Sequence, residues 1–376
     1  MSMKTDVIQH SEFFTADGIR EDFFAAYSRP QGDFTAEAKE LLSNYENFLK
    51  SCGCSSDSEI LLRFHLSDVT NQRHILDKLL AGRQAFISVT GQLPVGNSRL
   101  ALEAWHWHGV SKKLDAAALD VRMANYSPCW FRQDQLTASG SYDQTAEEFA
   151  LLKNFLAARN ANVADHTVRT WLYCRDVDNN YAGLVHARND FFAENGLTRD
   201  THFIASTGIE GQSARPDRLV RMDSINIPGL ENGQTVYLSA PEMLSPTAIY
   251  GVSFERGTKI VFGDRSHIFI SGTASIDHEG KVLHLYDVVK QTGRMLDNIE
   301  ALLNKADADA GDIKIAALYL RDPADAAAVL PVIRERFGES LPLVAMKAPV
   351  CRPEWLVEME CIAVNSNGDK KFKAFK

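Results

Sequence analysis

The sequence has no excess of positive charge: 40 lysines and arginines stand against 49 aspartates and glutamates, a formal −9. Such a chain offers no basic footprint to a nucleic-acid backbone, so no nucleic-acid partner is expected, and an anionic small molecule would have to be held by a few placed arginines. No run approaches the roughly 18 apolar residues of a membrane span. The first residues, Met1 to Phe14, lack the basic-then-apolar pattern of an export signal. A cytoplasmic protein with no membrane partner is the expectation. Cysteine is scarce, six in 376 residues, too few for a disulfide framework, and Cys129, Cys174, Cys351 and Cys361 sit in apolar or aromatic surroundings as reduced core residues. "SCGC", with Cys52 and Cys54, lacks a second pair at finger spacing. "WHWHG", with His106 and His108 on one strand face, has no recognisable third ligand. No metal and no cofactor are expected.

What is present is a soluble composition, 45% apolar and 24% charged, in a chain long enough for two or three domains. It also contains a repeat. "ARPDRLVRMDSINI", Ala214 to Ile227, matches "CRPEWLVEMECIAV", Cys351 to Val364, without a gap. Upstream, "QTAEEFALLKNFL" parallels "QTGRMLDNIEALL", "TWLYCRD" parallels "AALYLRD", and "ARNDFF" parallels "IRERFG", which sets Arg188 against Arg334.

Each copy reads as the same series. Apolar residues at spacings of three and four make "TAEEFALLKNFLAARN" and "TGRMLDNIEALLNKAD" amphipathic helices. Short β-rich runs follow ("TVRTWLYC", "IKIAALYL"), then a second helix ending near a glycine, then the matched strand. Hairpin strands come before, clearest in "KIVFGDRSHIFISGTASIDHEGKVLH". The order β-β-α-β-α-β predicts an α+β protein with helices packed on one face of each sheet. The expected division is an N-terminal extension over 1–58, a degenerate unit over 59–240, and a second unit over 241–376.

"FISGTASID", "DVVKQTGRMLDNIEALLNKADA", "LYLRDPAD" and "CRPEWLVEMECIAV" together resemble the RidA/YjgF superfamily, and the tandem arrangement resembles its chorismatase (FkbO-type) branch. The resemblance implies the Bacillus chorismate mutase-like fold and a homo-oligomer, a trimer with ligand clefts between subunits. It also implies a small-molecule carboxylate substrate and catalysis by Glu358, with Cys351 seven residues before it as in chorismatases. The arginine of the imine deaminases is replaced by Ala345. The family pattern Arg-x-Trp-Asn-Tyr becomes Arg169-Thr-Trp171-Leu-Tyr173, which keeps Tyr173 as a substrate-binding candidate. In "SAPEMLSPTAIYG", Tyr250 stands at the place of a chorismate-binding arginine, for which Arg256 or Arg188 are the substitutes.

The residues themselves say part of this. In a strand, Leu356, Glu358 and Glu360 share a face, and a carboxyl in a partly apolar cleft has its pKa raised, which suits proton donation near neutral pH. The first copy carries Arg221 at the place of Glu358, so the two copies no longer do the same job; a solvated outer face is the plainer alternative. Gly272 and Ala274 in "SGTAS" fit either close ligand approach or close strand packing. "STGIEG", from Ser206, fits either an anion site or a turn. Two classes of function remain open. One is a chorismatase-like enzyme releasing pyruvate from chorismate or a related enolpyruvyl carboxylate; the other is a non-catalytic small-molecule-binding protein. An enamine or imine deaminase on the same scaffold is a further alternative. Ribonuclease activity, attached to the family's L-PSP name, is disfavoured by the acidic charge.

Overall fold

Asp33, Asp68 and Asp287 each precede an amphipathic run and accept a backbone N–H from its first turn, from Ala36, Asn71 and Lys290. These caps fix where three helices begin. The computed structural model describes residues 8–376, apart from the side chain of Tyr250, and its strands form three sheets.

The first unit runs β1 (Ile8–Phe14), β2 (Arg20–Tyr27), α1 (Phe34–Ser51), β3 (Glu59–Leu66), α2 (Val69–Leu79), β4 (Phe86–Gly91), β5 (Leu93–Pro94) and β6 (Leu100–Trp107). The second runs β7 (Ser111–Leu114), β8 (Ala118–Arg122), β9 (Cys129–Arg132), α3 (Ser141–Ala157), the single turn α4 (Val163–His166), β10 (Thr167–Cys174), α5 (Val177–Glu194), β11 (Ala205–Glu210) and β12 (Val220–Asn226). The third runs β13 (Thr235–Leu238), β14 (Gly257–Val261), β15 (Ser266–Ala274), α6 (Val288–Lys305), β16 (Ile313–Leu320), α7 (Ala326–Phe337), β17 (Leu343–Lys347) and β18 (Val357–Asn365). The sheet orders are β1-β2-β6-β3-β4, then β7-β8-β9-β12-β10-β11, then β13-β14-β15-β18-β16-β17-β5.

These orders are one topology written three times, with the helices covering one face of each sheet. The α+β class and the two expected units are there, and a third precedes them. The boundary after residue 58 does not hold, because β1 and β2 are hydrogen-bonded through β6 into the same sheet as β3 and β4. The boundary after residue 240 does not hold either, since β13 pairs with β14 of the third unit. The first unit does not stand out as a sequence repeat because its last strand, "LALEAWHW", keeps the alternation of the others but neither their Arg-Pro turn nor their methionine.

Registers make the units comparable position by position. Opposite Arg63, Trp171 and Ala317 stand Glu103, Asp223 and Glu360; opposite His65, Tyr173 and Tyr319 stand Ala101, Arg221 and Glu358. Each unit therefore carries an acid at the first place, and the second place has diverged.

Strand contacts close the three units into a ring: Gly91 bridges to Gln212, Ile209 to Val350, and Met346 to Pro94. The threefold arrangement that the resemblance implies between subunits is made here by one chain. The sheet faces away from the helices meet in the middle, where Trp105, Trp107 and Trp130 pack with ring centroids 5.0–6.1 Å apart. Phe375, near the chain end, caps this group 4.8 Å from Trp107. His106 points to the opposite face and is structural, lying 2.6 Å from the Tyr45 hydroxyl and 2.9 Å from that of Ser58. Burial pushes its pKa down to about 3. No helix among the described residues is long and apolar enough to cross a membrane.

Candidate active site

The ring creates three equivalent seams, each between the β4-type strand of one unit and the last strand of the next, and they differ in what fills them. Between the first and second units, Arg221 reaches across to the hydroxyls of Ser88, at 3.1 Å, and Thr90, and lies 4.4 Å over the Tyr173 ring. Between the third and first, the Tyr27 hydroxyl donates to the Leu343 carbonyl at 3.1 Å and accepts from the Ala345 N–H at 2.6 Å. Between the second and third lies a cavity of about 240 Å³.

Glu358 stands in the wall of this cavity on β18, with Gly272 and Ala274 of β15 beside it. Cys351, Arg352 and Trp355 come from the turn before β18, and Arg256 from just before β14. The second unit supplies Tyr181, His186 and Arg188 from α5, and Ser206, Thr207 and Gly208 from β11. Six sequence candidates thus converge on one cavity: Glu358, Cys351, Arg256, Arg188, Gly272 and Ala274. Tyr173 does not belong to it. It is buried in the seam filled by Arg221, because Tyr173 stands opposite Arg221 as Tyr319 stands opposite Glu358, and this place in the second unit faces the first unit, not the third. The side chain of Tyr250 lies outside the described residues.

Ala345 also belongs elsewhere. It pairs with Leu318, as Gly208 pairs with Leu172, so the arginine position facing Glu358 is held by Gly208 of the second unit. A Cβ on Gly208 would come within 2.9 Å of the Tyr181 ring. The missing family arginine is therefore missing in this cavity too, but its place is taken by an aromatic ring.

The position of Glu358 depends on a bulge. The β15–β18 register shifts between Ile270 and Thr273, which turns Ser271 and Gly272 towards β11. Ser271 Oγ accepts from the Ser206 N–H and from Arg169, both at 3.0 Å, and the Gly272 N–H donates to Thr207 Oγ1 at 2.9 Å. A Cβ on Gly272 would lie 2.3 Å from Glu358 Oε1, so only glycine leaves room for this carboxyl. Close ligand approach and close packing are both served by one residue.

Two residues on, Glu360 is engaged on all sides: Arg169 donates to it at 2.8 Å, Trp171 Nε1 at 2.7 Å, and the Thr207 hydroxyl donates as well. Glu358 has no hydrogen-bond partner among the described residues. Burial, and secondly the charge of Glu360, push its pKa up to about 8, while Arg169 and Arg256 pull the other way. Below that value the carboxyl holds its proton. Cys351 lies beside it, its thiol hydrogen-bonded with the Tyr181 hydroxyl and pushed up to about 12 by burial and by Glu358, so it is a thiol and not a thiolate nucleophile.

Arg188 was named in the sequence for its place in the repeat, and its environment singles it out. It is 1% exposed, yet its Nε and Nη2 have no hydrogen-bond partner among the described residues. A buried guanidinium with open donors is costly unless something anionic completes it. Arg256 is steadied by the Ser245 carbonyl at 2.8 Å. His186 and Tyr181 are lining residues that the sequence reading missed. Tyr181 stands seven residues before Arg188, two helical turns, and His186 two residues before it, and only the packing of α5 against the third unit brings both to the cavity.

The predicted expectation for Gly272→Ala follows from this geometry. The clash is with the end of a flexible side chain, so the fold should persist while the carboxyl is displaced by about 1 Å or more. Turnover should drop by about a hundredfold with the thermal midpoint little changed. A fully active Gly272→Ala variant would contradict the placement of Glu358.

Residues 259–365 match the family model described as Endoribonuclease L-PSP. A RutC family protein of Pyrococcus abyssi is 38% identical over 97 residues, 26% of this chain and 76% of that protein. A 3-hydroxybenzoate synthase of Streptomyces hygroscopicus is 34% identical over 112 residues, 27% of this chain and 32% of that protein. Among solved structures, a chorismatase aligns over 82% of this chain and 93% of its own, with a TM-score of 0.63 at 20% identity, a likeness of fold.

Proposed function

The chain belongs to the Endoribonuclease L-PSP (RidA/YjgF) family, and from that premise we propose that it is a chorismatase-like enzyme, which releases pyruvate from chorismate or a related enolpyruvyl carboxylate. The observation that carries this reading is the pairing, in one cavity, of a carboxyl kept neutral by burial with a buried guanidinium whose donors are open. The likeness to a 3-hydroxybenzoate synthase and the chorismatase-like fold support it.

In this mechanism Arg188 grips the substrate carboxylate by charge-assisted hydrogen bonds. Glu358 gives its proton to the enolpyruvyl methylene carbon, and the positive charge that develops on the ether-bearing carbon is stabilised by the carboxylate now left on Glu358. Water adds to that carbon and returns a proton to Glu358, which leaves a hemiketal. The bond between the pyruvyl carbon and the ether oxygen then breaks as the hemiketal hydroxyl loses its proton and the ether oxygen gains one, so pyruvate leaves and the ring keeps a hydroxyl. The neutral Cys351 thiol and the Tyr181 hydroxyl border the cavity and shape where water stands.

The test is release of pyruvate from chorismate, isochorismate and simple enamines, with ammonia measured in parallel. Pyruvate without ammonia from a cyclic enolpyruvyl ether supports the proposal. Ammonia from the enamines favours the deaminase reading, and no product from any of them favours a binding protein.

Arg188→Met is expected to lower kcat/KM ten- to a hundredfold, about 1.5–3 kcal/mol for a hydrogen bond to a charged group, mostly through KM. Because this guanidinium has open donors when the cavity is empty, the variant should be no less stable than the parent. A marked loss of stability without a rise in KM would make Arg188 structural.

A further inference from the structure

Two motifs that look incomplete in the sequence meet in the first unit, away from the cavity. Cys54 follows α1 and His108 follows β6, and Sγ of Cys54 lies 3.8 Å from Nε2 of His108. Asp22 of β2 joins them, with Oδ2 at 2.7 Å from the same nitrogen. The three ligand atoms all lie within 4.8 Å of one another.

We propose that Asp22, Cys54 and His108 form a binding site for a zinc-type divalent cation, with a fourth position open to water. The donor set is mixed oxygen, nitrogen and sulfur, which suits zinc. With metal–ligand bonds of about 2.0–2.3 Å, neighbouring ligands of a tetrahedral ion stand roughly 3.3–3.8 Å apart, a spacing these three atoms reach with small side-chain shifts. His108 is 27% exposed, which gives an entry path and room for water, while Asp22 is fully buried.

The surroundings orient the carboxylate. Its other oxygen, Oδ1, lies 2.7 Å from His10 Nε2 and accepts from Arg20 Nε at 3.0 Å and Nη2 at 2.6 Å. Such outer partners are what hold a metal-ligating carboxylate in place, and they leave Oδ2 facing Cys54 and His108. The charges also balance. A divalent cation is neutralised by the Asp22 carboxylate and the Cys54 thiolate, while Arg20 retains Glu12, at 3.4 Å, and the Cys52 carbonyl, at 2.8 Å. Binding releases the thiol proton to solvent, and the His108 ring proton resides on Nδ1 so that Nε2 can ligate. The ion would tie β2, the end of β6 and the α1–β3 connection together, so its effect is on stability and not on the cavity.

The experiment is a Co(II) titration of the chelator-stripped full-length protein, followed by Zn(II) competition. The expected result is one equivalent bound with a thiolate-to-cobalt charge-transfer band, displaced by one equivalent of zinc, and a higher thermal midpoint with zinc. Cys54→Ser should lose the band and bind zinc at least about a hundredfold more weakly, His108→Ala should weaken binding similarly, and Cys52→Ser should leave both unchanged. No band at one equivalent in the parent protein, or a band that persists in Cys54→Ser, would overturn the proposal. Neither result bears on pyruvate release, which is measured separately.

Discussion

Replacing Glu358 by glutamine should lower turnover about a hundredfold or more, the usual scale for losing a general acid, while the fold is retained. Glutamine keeps the size and polarity of the side chain, and Gly272 still leaves it room, but the amide cannot deliver a proton. On the proposed function, the parent protein should show turnover that is level near neutrality and falls as pH rises through about 8, where Glu358 loses its proton. The residual activity of the variant should lack that limb. Stability supplies an independent readout. The folded-state pKa is raised from the ordinary 4.5 to about 8, so between these values the folded protein holds a proton that the unfolded chain has released. That contribution is fully present below the ordinary value and is lost as pH rises through about 8. The glutamine variant escapes the loss and should equal or exceed the parent's stability at alkaline pH. Undiminished turnover in a well-folded Glu358→Gln variant would end the assignment.

Truncating the neighbouring acid should do something different. Glu360→Ala is expected to destabilise the protein by about 3–5 kcal/mol, because breaking a buried pair from one side leaves its partner uncompensated. That partner is Arg169, 1% exposed and bonded to Glu360 at 2.8 Å; Trp171 Nε1 and the Thr207 hydroxyl lose an acceptor as well. The loss should appear as a lower denaturation midpoint in chemical unfolding. A change below about 1 kcal/mol, the scale of an exposed pair, would mean that the network between the second and third units is not what secures them. The two variants separate adjacent carboxylates on one strand face: one governs turnover with little cost to stability, the other stability first.

Several of these distinctions were legible before the structure. Glu358 stands out because a carboxylate interrupts an apolar strand and because the repeat places Arg221 opposite it in sequence, and the register confirms that these two positions are equivalent. The reading of residues 1–58 as an extension departs from the structure, since it relied on a repeat whose motifs the first unit no longer carries. Ala345 and Tyr173 misled for a shared reason. In a ring of units, a seam takes one wall from each of two units, so residues that align within a unit look into different seams.

The sequence by itself determined the local elements, the repeated topology of the second and third units, and the identity of the candidate acid. Those depend on alternation, helical spacing and capping, all of which act over a few residues. The tertiary structure decided that there are three units, that they close into a ring, and that the seam between the second and third holds the cavity. It also decided that Arg188 lines that cavity. These outcomes depend on contacts such as Thr207 with Glu360 and Arg169 with Glu360, 153 and 191 residues apart. Nothing in a local pattern records such pairs, because they form only when sheets already folded pack face to face.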